Sequence, residues 1–161
     1  MDHVDQIVAQ WGEQRPDLDV SGMAIIGRIS RLELRIRPRL QEVFARHGLE
    51  AWEFDMLATL RRSGPPFHLS AGQLLESMMI TSGTMTNRID RLEERGLIRR
   101  VGDPNDRRKV LVELTQEGLE TVDETLPDHA ANEKRLLEAL SPEEQQVLIG
   151  LLRKLHESMD G

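Results

Sequence analysis

The sequence predicts a mainly helical fold that carries one small β-hairpin. Apolar residues recur every three to four positions over most of the chain, which is the period of an amphipathic helix. Only 97–101 and 109–114 have a β-branched, partly alternating character, and the intervening 102–105 reads Gly-Asp-Pro-Asn, a strong turn sequence. These observations predict two short strands, joined by a long turn, within an otherwise helical chain.

The composition excludes several classes of protein. The 161 residues include 28 acidic and 21 basic side chains, a net charge of −7, which argues against binding by bulk positive charge. The chain has no Cys, so disulfides, thiolate metal sites and thiol catalysis are excluded. Because no apolar run approaches the roughly 18–20 residues that cross a bilayer, and the N-terminus lacks signal-peptide order, we expect a cytoplasmic protein without a membrane segment.

The first part of the chain predicts three helices. A short helix covers 4–11 and is ended by Gly12 and by the turn sequence Arg-Pro-Asp at 15–17. A long amphipathic helix covers 21–46. Pro38 should kink the long helix. A further helix covers 51–62, where Ser-Gly-Pro-Pro follows and ends it.

The middle of the chain predicts a winged helix-turn-helix. Ser70 caps a short helix, a hinge covers 78–81, and a second helix runs over 82–95 with Met85, Ile89 and Leu92 on its apolar face. The β-hairpin follows directly. Helix, short helix, turn, helix and hairpin in this order are typical of a DNA-binding helix-turn-helix with a wing.

The C-terminal part predicts more helix than a winged domain needs. Thr115 caps a helix that Pro127 breaks or kinks, the pattern resumes over 130–140, and Ser141 caps the last helix. The apolar stripes at 25–44 and 136–155 would be exposed in a monomer.

We therefore expect one domain over 1–161, in which 47–115 is the winged helix-turn-helix, flanked by dimerisation helices in 1–46 and 116–161. A two-fold dimer places two reading helices about one turn of DNA apart. An intramolecular bundle of the terminal helices is the alternative.

The candidate DNA contacts lie on the second helix of the motif and on the wing. An Asn side chain can pair with adenine, an Arg with guanine, and a helix N-terminus with phosphate, whereas a narrow minor groove attracts an exposed Arg. The expected contacts are Thr81, Ser82, Thr84, Asn87, Arg88, Arg91, Arg107 and Arg108. The alternative for the helix residues is an ordinary solvent-exposed face. The alternative for the wing residues is a polar turn that contacts only solvent.

The sequences around this helix and the wing resemble the MarR family of transcriptional regulators. Residues 84–98, TMTNRIDRLEERGLI, are similar to the family's recognition helix, and 103–115, DPNDRRKVLVELT, look like its wing and following strand. The resemblance implies a homodimeric repressor that binds a palindromic operator in double-stranded DNA and is relieved by a small anionic or phenolic ligand.

A narrower resemblance, to the urate- and trans-aconitate-responsive branch of that family, is carried by the N-terminal helix with Trp11, by Trp-Glu-Phe-Asp at 52–55 and by Thr-Asn-Arg-Ile at 86–89. It implies a ligand site between the dimerisation helices and the winged helix, formed by Trp11, Asp55, Arg88 and Arg100. In the empty state, Asp55 is expected to neutralise an Arg. Each residue also has an alternative interpretation. Trp11 could anchor a terminal helix and Asp55 could be a polar surface residue. Arg88 could contact DNA only, and Arg100 could be an exposed strand residue.

Enzymatic functions find no support in the sequence. The five His are isolated, and no Gly-rich phosphate loop, metal-ligand spacing or nucleophile elbow is present. We expect neither catalysis nor a cofactor or metal. The alternative from another class is a winged-helix module that binds proteins and not DNA.

Overall fold

The computed structural model describes residues 1–78, 82–104, 106 and 109–159 and is mostly helical. Its helices are α1 (His3–Gln14), α2 (Ser21–Arg46), α3 (Ala51–Arg62), α4 (Ala71–Met78), α5 (Ser82–Glu94), α6 (Gln116–Leu136) and α7 (Pro142–Glu157). Its strands are β1 (His68–Ser70), β2 (Ile98–Gly102) and β3 (Val110–Leu114). The predicted fold class, mainly helical with a small hairpin, is confirmed.

Residues 1–40 form one compact unit, in which α1 packs on α2. Asp2 caps α1 by accepting hydrogen bonds from the backbone N–H groups of Val4 (2.7 Å) and Asp5 (3.0 Å). Arg28 of α2 pairs with both carboxylates, at 3.0 Å from Asp2 and 2.5 Å from Asp5. Val4 is buried, and a Cβ at Gly27 would lie only 3.2 Å from its Cγ1, so the small residue permits the close approach of the two helices.

Helix α1 continues past Gly12 to Gln14, with Arg15 as its C-cap, so it ends at the predicted turn of 15–17 and not at the glycine. Gly ends a helix when its backbone adopts the left-handed conformation, and Gly12 does not have a positive φ. Gly48 and Gly96 do, with φ of 68° and 72°, and each lies two residues after the last residue of its helix, α2 or α5.

Residues 41–161 form a second compact unit with its own core. Phe44 stacks on Phe54 with ring centroids 4.6 Å apart. Helices α3, α5 and α6 and strands β2 and β3 all contribute residues that are at most 2% exposed, including Met56, Leu57, Leu60, Leu92, Ile98, Val112 and Val122. This core fixes the elements that carry the candidate site.

The sheet is antiparallel, with the strand order β1-β3-β2. The predicted hairpin pairs β2 with β3 from Ile98 opposite Leu114 to Gly102 opposite Val110. Strand β1 was not predicted. It pairs His68 with Glu113 on the other edge of β3, and its three residues are too few to show alternation in the sequence.

The predicted caps at Thr115 and Ser141 are confirmed, since their side chains accept from the backbone N–H groups of Gly118 (3.0 Å) and Glu144 (3.2 Å). A break at Pro127 is wrong, because α6 is continuous through it. Buried residues occur on α6 both before and after the proline, at Val122 and Asn132, and their packing offsets the one backbone hydrogen bond that Pro removes.

Two features are absent from the part of the chain that the structure describes. No helix there combines the length and the apolar character of a bilayer-spanning segment. No three His, Asp or Glu side chains come together in the arrangement of a metal site.

Candidate nucleic-acid interface and ligand site

Helix α5 is the element that the sequence predicts to read DNA. Its predicted apolar face is confirmed, because Met85, Ile89 and Leu92 are at most 4% exposed. Thr84 and Asn87 lie on the exposed part of the helix surface. Since one face of the helix is taken up by the core, these polar side chains point away from it.

The other predicted DNA contacts differ in their surroundings. Arg91 is exposed on α5, whereas Arg88 is half-buried. The expected contacts that lie outside the described residues are Thr81, the side chain of Ser82, Arg107 and Arg108.

Trp52, near the start of α3, contacts both arginines. The Cζ atoms of Arg88 and Arg91 lie 5.2 Å and 4.9 Å from the centroid of its ring, within the distance of a cation–π contact. The indole Nε1 donates to one carboxylate oxygen of Glu50 (2.6 Å), and the other oxygen accepts from Arg91 (3.0 Å). These bonds, first that from Trp52, hold the pKa of Glu50 below its ordinary value.

Arg95 ties the last turn of α5 to the start of α3. Its guanidinium donates to the carboxylate of Glu53 (2.7 Å) and to the carbonyl of Gly48 (3.0 Å). The Glu53 side chain is only 3% exposed, and it also accepts from the backbone N–H of Glu50 (2.8 Å). A buried carboxylate requires such partners, so the contact fixes α5 on α3.

Arg100 ties β2 to α5 in a similar way. Its guanidinium forms ion pairs with Asp90, at 2.5 Å, and with Glu93. The backbone N–H of Arg100 also donates to Glu93 (3.0 Å). The pKa of Arg100 is raised above its ordinary value, first by the hydrogen bond to Asp90, while desolvation works in the opposite direction. An anion that binds Arg100 must therefore compete with two carboxylates of the same chain.

The other predicted ligand residues are placed as follows. Trp11 lies on α1 in the first unit and is 45% exposed. Asp55 is exposed on α3 in the second unit. Within the described residues, the Asp55 carboxylate forms no ion pair, so it does not neutralise an Arg as expected. Asp90 and Glu93 do so for Arg100, because they lie on the helix that packs beside β2.

The wing continues as a hairpin past the strand ends. The backbone N–H of Asp103 donates to the carbonyl of Lys109 (3.1 Å), and that of Lys109 donates to the carbonyl of Asp106 (2.9 Å). These bonds continue the hairpin beyond the paired residues of β2 and β3.

Sequence reasoning missed the contacts that hold α5 in place. Arg88, Arg91 and Arg95 follow one another at helical spacing, which could have indicated a single basic stripe on α5. Their partners Glu50, Trp52 and Glu53 lie some forty residues away in the sequence, and no local pattern links the two segments.

Comparisons with known proteins agree with this architecture. Residues 49–110 match the MarR family. The chain is similar to the HTH-type transcriptional regulator PecS of Dickeya dadantii (strain 3937), with 42% identity over 97% of this chain and 94% of that protein.

Two solved structures are also similar. One is AbsC, a MarR family transcriptional regulator from Streptomyces coelicolor, with a TM-score of 0.81 over 89% of this chain and 97% of that chain; at 23% identity it supports the fold alone. The other is BpsR of Bordetella bronchiseptica, whose DNA binding is regulated by 6-hydroxynicotinic acid. Its TM-score is 0.70 and its identity 30%, over 81% of this chain and 92% of that chain.

Proposed function

The chain belongs to the MarR family of DNA-binding transcriptional regulators, and we propose that it is a homodimeric repressor that releases a palindromic operator when a small anionic ligand binds. The observation that carries the proposal is the orientation of α5. Burial of Met85, Ile89 and Leu92 leaves Thr84 and Asn87 on the surface that a major groove would face.

DNA recognition on this proposal divides between α5 and the wing. Asn87 pairs with a base edge in the major groove, where an amide can form two hydrogen bonds with adenine. Thr84, Arg88 and Arg91 add base or phosphate contacts, and Thr81 and Ser82 contact a phosphate at the helix N-terminus. Arg107 enters the minor groove from the wing tip, with Arg108 beside it.

Dimerisation on this proposal uses the apolar stripes of the terminal helices. In the single chain, α7 has no buried residue, and Val147, Leu148, Ile149, Leu151 and Leu152 are all exposed by more than a third. On α2, Ile25, Ile26, Ile29, Leu32 and Leu34 are exposed to a similar degree. Apolar surface of this extent on a soluble chain is typical of an interface, and a second copy of the chain would cover it.

The ligand on this proposal binds at Trp11, Asp55, Arg88 and Arg100, as in the urate- and trans-aconitate-responsive branch of the family. The support from the second unit is chemical: the Arg100 side chain is 35% exposed and is bound by Asp90 and Glu93, so an anionic ligand reaches it by displacing one of these carboxylates. A planar ring could stack on Trp11. Regulation of BpsR by 6-hydroxynicotinic acid, an aromatic carboxylic acid, makes this ligand class a reasonable one.

The proposal is tested with fluorescently labelled duplexes from the DNA that flanks the gene. We expect the protein to bind one duplex specifically and to release it when urate, trans-aconitate, citrate or salicylate is added. Ligand binding without DNA is followed by Trp fluorescence, and Arg100→Ala should weaken it. If no duplex binds specifically, the protein-interaction alternative is favoured instead.

A further inference from the structure

Trp52 belongs to neither the expected DNA contacts nor the expected ligand residues, yet it touches members of both sets. Arg88, common to the two sets, and Arg91 both lie within 5.2 Å of its ring centroid. The ring is only half-buried, so it is not a fully enclosed core side chain. Through Trp52, α3 therefore contacts two side chains of α5 directly.

Glu50, Trp52 and Arg91 form a cluster in which each residue contacts the other two. One carboxylate oxygen binds the indole N–H at 2.6 Å and the other binds Arg91 at 3.0 Å, while Arg91 also lies over the ring. If Arg91 turns away from Trp52, it must also leave Glu50. The orientation of the ring and that of the guanidinium therefore depend on each other.

The residues that support this arrangement are themselves joined to α5 by hydrogen bonds. One turn further along α3, the buried Glu53 binds both the backbone N–H of Glu50 and the guanidinium of Arg95. Glu50 and Trp52 are thus held at fixed positions relative to the last turn of α5. A fixed support can order long arginine side chains before they meet a ligand, which reduces the entropy lost on binding.

We infer that Trp52 is a positioning residue for DNA recognition. Its indole ring, held by Glu50, sets the directions in which Arg88 and Arg91 leave α5, and thereby sets how well the protein distinguishes its operator from unrelated DNA. Trp52 acts through these arginines and not by touching DNA. The inference rests on the proposed function, because it presupposes that α5 reads an operator.

The test compares the affinities of variants for two duplexes: an operator selected by the wild-type protein from random-sequence DNA, and an unrelated duplex of equal length. Trp52→Leu should reduce the ratio of the two affinities about tenfold, or roughly 1.4 kcal/mol. Its affinity for the unrelated duplex should change by less than about twofold, since the charge that dominates nonspecific binding is unaltered. Trp52→Phe, which keeps an aromatic face, should recover most of the ratio.

Phe67→Leu is the matched control, because it removes a ring from the Arg61–Phe67 contact (4.9 Å) elsewhere in the same unit. It should leave the affinity ratio unchanged. The inference is overturned if folded Trp52→Leu keeps the wild-type ratio, or if it weakens both duplexes equally.

If Trp52→Leu does not fold, Glu50→Gln decides the matter. That variant keeps the ring and removes the ion pair with Arg91, so weaker binding to the operator, without weaker binding to the unrelated duplex, supports the inference. Operator binding as tight as that of the wild-type protein contradicts it. Failure of the proposed function would look different, because the wild-type protein itself would select no operator.

Discussion

Arg100 shows at the residue scale how the protein compensates a positive charge in its proposed ligand site. Asp90 and Glu93, both on α5, are its partners, so carboxylates of α5 bind the guanidinium that an anionic ligand would contact. An anionic ligand that replaces them would also break the link between β2 and α5. Ligand binding and the placement of the recognition helix would then be coupled, typically by about 1–3 kcal/mol.

This competition predicts the effect of Asp90→Asn. Removing one competing carboxylate should tighten the binding of urate or trans-aconitate to the DNA-free protein about two- to fivefold, the range expected of a partly exposed ion pair. Fluorescence titration measures it. Glu94→Gln is the matched control, since it removes the same charge from an exposed position of α5 and should have less effect. Equal effects of the two substitutions would show that Asp90 does not compete with the ligand.

Asn87 carries the second prediction at this scale. Asn87→Ala should weaken operator binding by roughly 1–3 kcal/mol, the range for a base contact made by two hydrogen bonds. The loss should vanish when the base pair that Asn87 reads is replaced, because the substitution changes no charge. Anisotropy titrations on the operator and on single-base variants measure both quantities. A loss that is equal on every duplex would contradict a base-specific role.

At the scale of the elements, the position of α5 depends on contacts with α3 and β2 in addition to its apolar face. Arg95 binds the buried Glu53, and Arg100 binds Asp90 and Glu93 from the strand that follows. The recognition helix is thus held from both sides by charged contacts. Such contacts have a defined hydrogen-bond geometry, which adds to the apolar packing of the helix.

The Glu53–Arg95 contact yields a stability prediction. Arg95→Ala should lower the free energy of unfolding by about 1–3 kcal/mol, because it leaves a buried carboxylate without its charged partner. Urea unfolding measures the change, and the added substitution Glu53→Gln should recover part of it.

Arg15→Ala is the control for that measurement, since Arg15 and Asp17 form an exposed pair at 2.7 Å. We expect it to change stability by less than about 1 kcal/mol. If Arg95→Ala is no more destabilising than this control, the buried contact does not hold α5.

The sequence predicted the elements well where the signal was local. The spacing of Met85, Ile89 and Leu92 located the buried face of α5, and the oxygen-bearing side chains of Thr115 and Ser141 located two helix starts. Strand β1 is defined by its pairing with β3, which is distant in the sequence. The continuity of α6 through Pro127 depends on tertiary packing, which a local breaker rule does not include.

The candidate site was predictable only in part, for the same reason. The polar residues of α5 follow from helical periodicity, but the carboxylates and the ring that bind its arginines come from α3. Arg100 is neutralised by Asp90 and Glu93 and not by Asp55. This pairing depends on how β2 lies beside α5. Distances between segments of this kind are set by the fold and leave no spacing rule in the sequence.

At the scale of the whole molecule, the terminal helices are the reason to propose a dimer. Leu148 and Leu152 on α7 remain exposed in the single chain, and they share one side of that helix at i, i+4 spacing. Burying such side chains contributes about 1.5–3 kcal/mol each. Two-fold symmetry would also match a palindromic operator.

A charged residue in this stripe should disrupt the assembly. We expect Leu148→Glu to shift the protein to a monomer of 18.4 kDa and to weaken operator binding strongly, although no residue of α5 is changed. Sedimentation velocity measures the first effect and anisotropy the second. Gln146→Glu is the control, because it adds the same charge to an exposed polar position of α7. A dimeric Leu148→Glu protein with normal DNA binding would place the interface elsewhere.

The stoichiometry of the DNA complex tests the proposed homodimeric repressor most directly. The mass of the complex is measured by sedimentation, first on the selected palindromic operator and then on a duplex that carries one half-site and an unrelated second half. We expect two chains on the palindrome, much weaker binding to the single half-site, and dissociation of both chains together when an effective anionic ligand is added. A single chain that binds either duplex equally well would contradict the proposal.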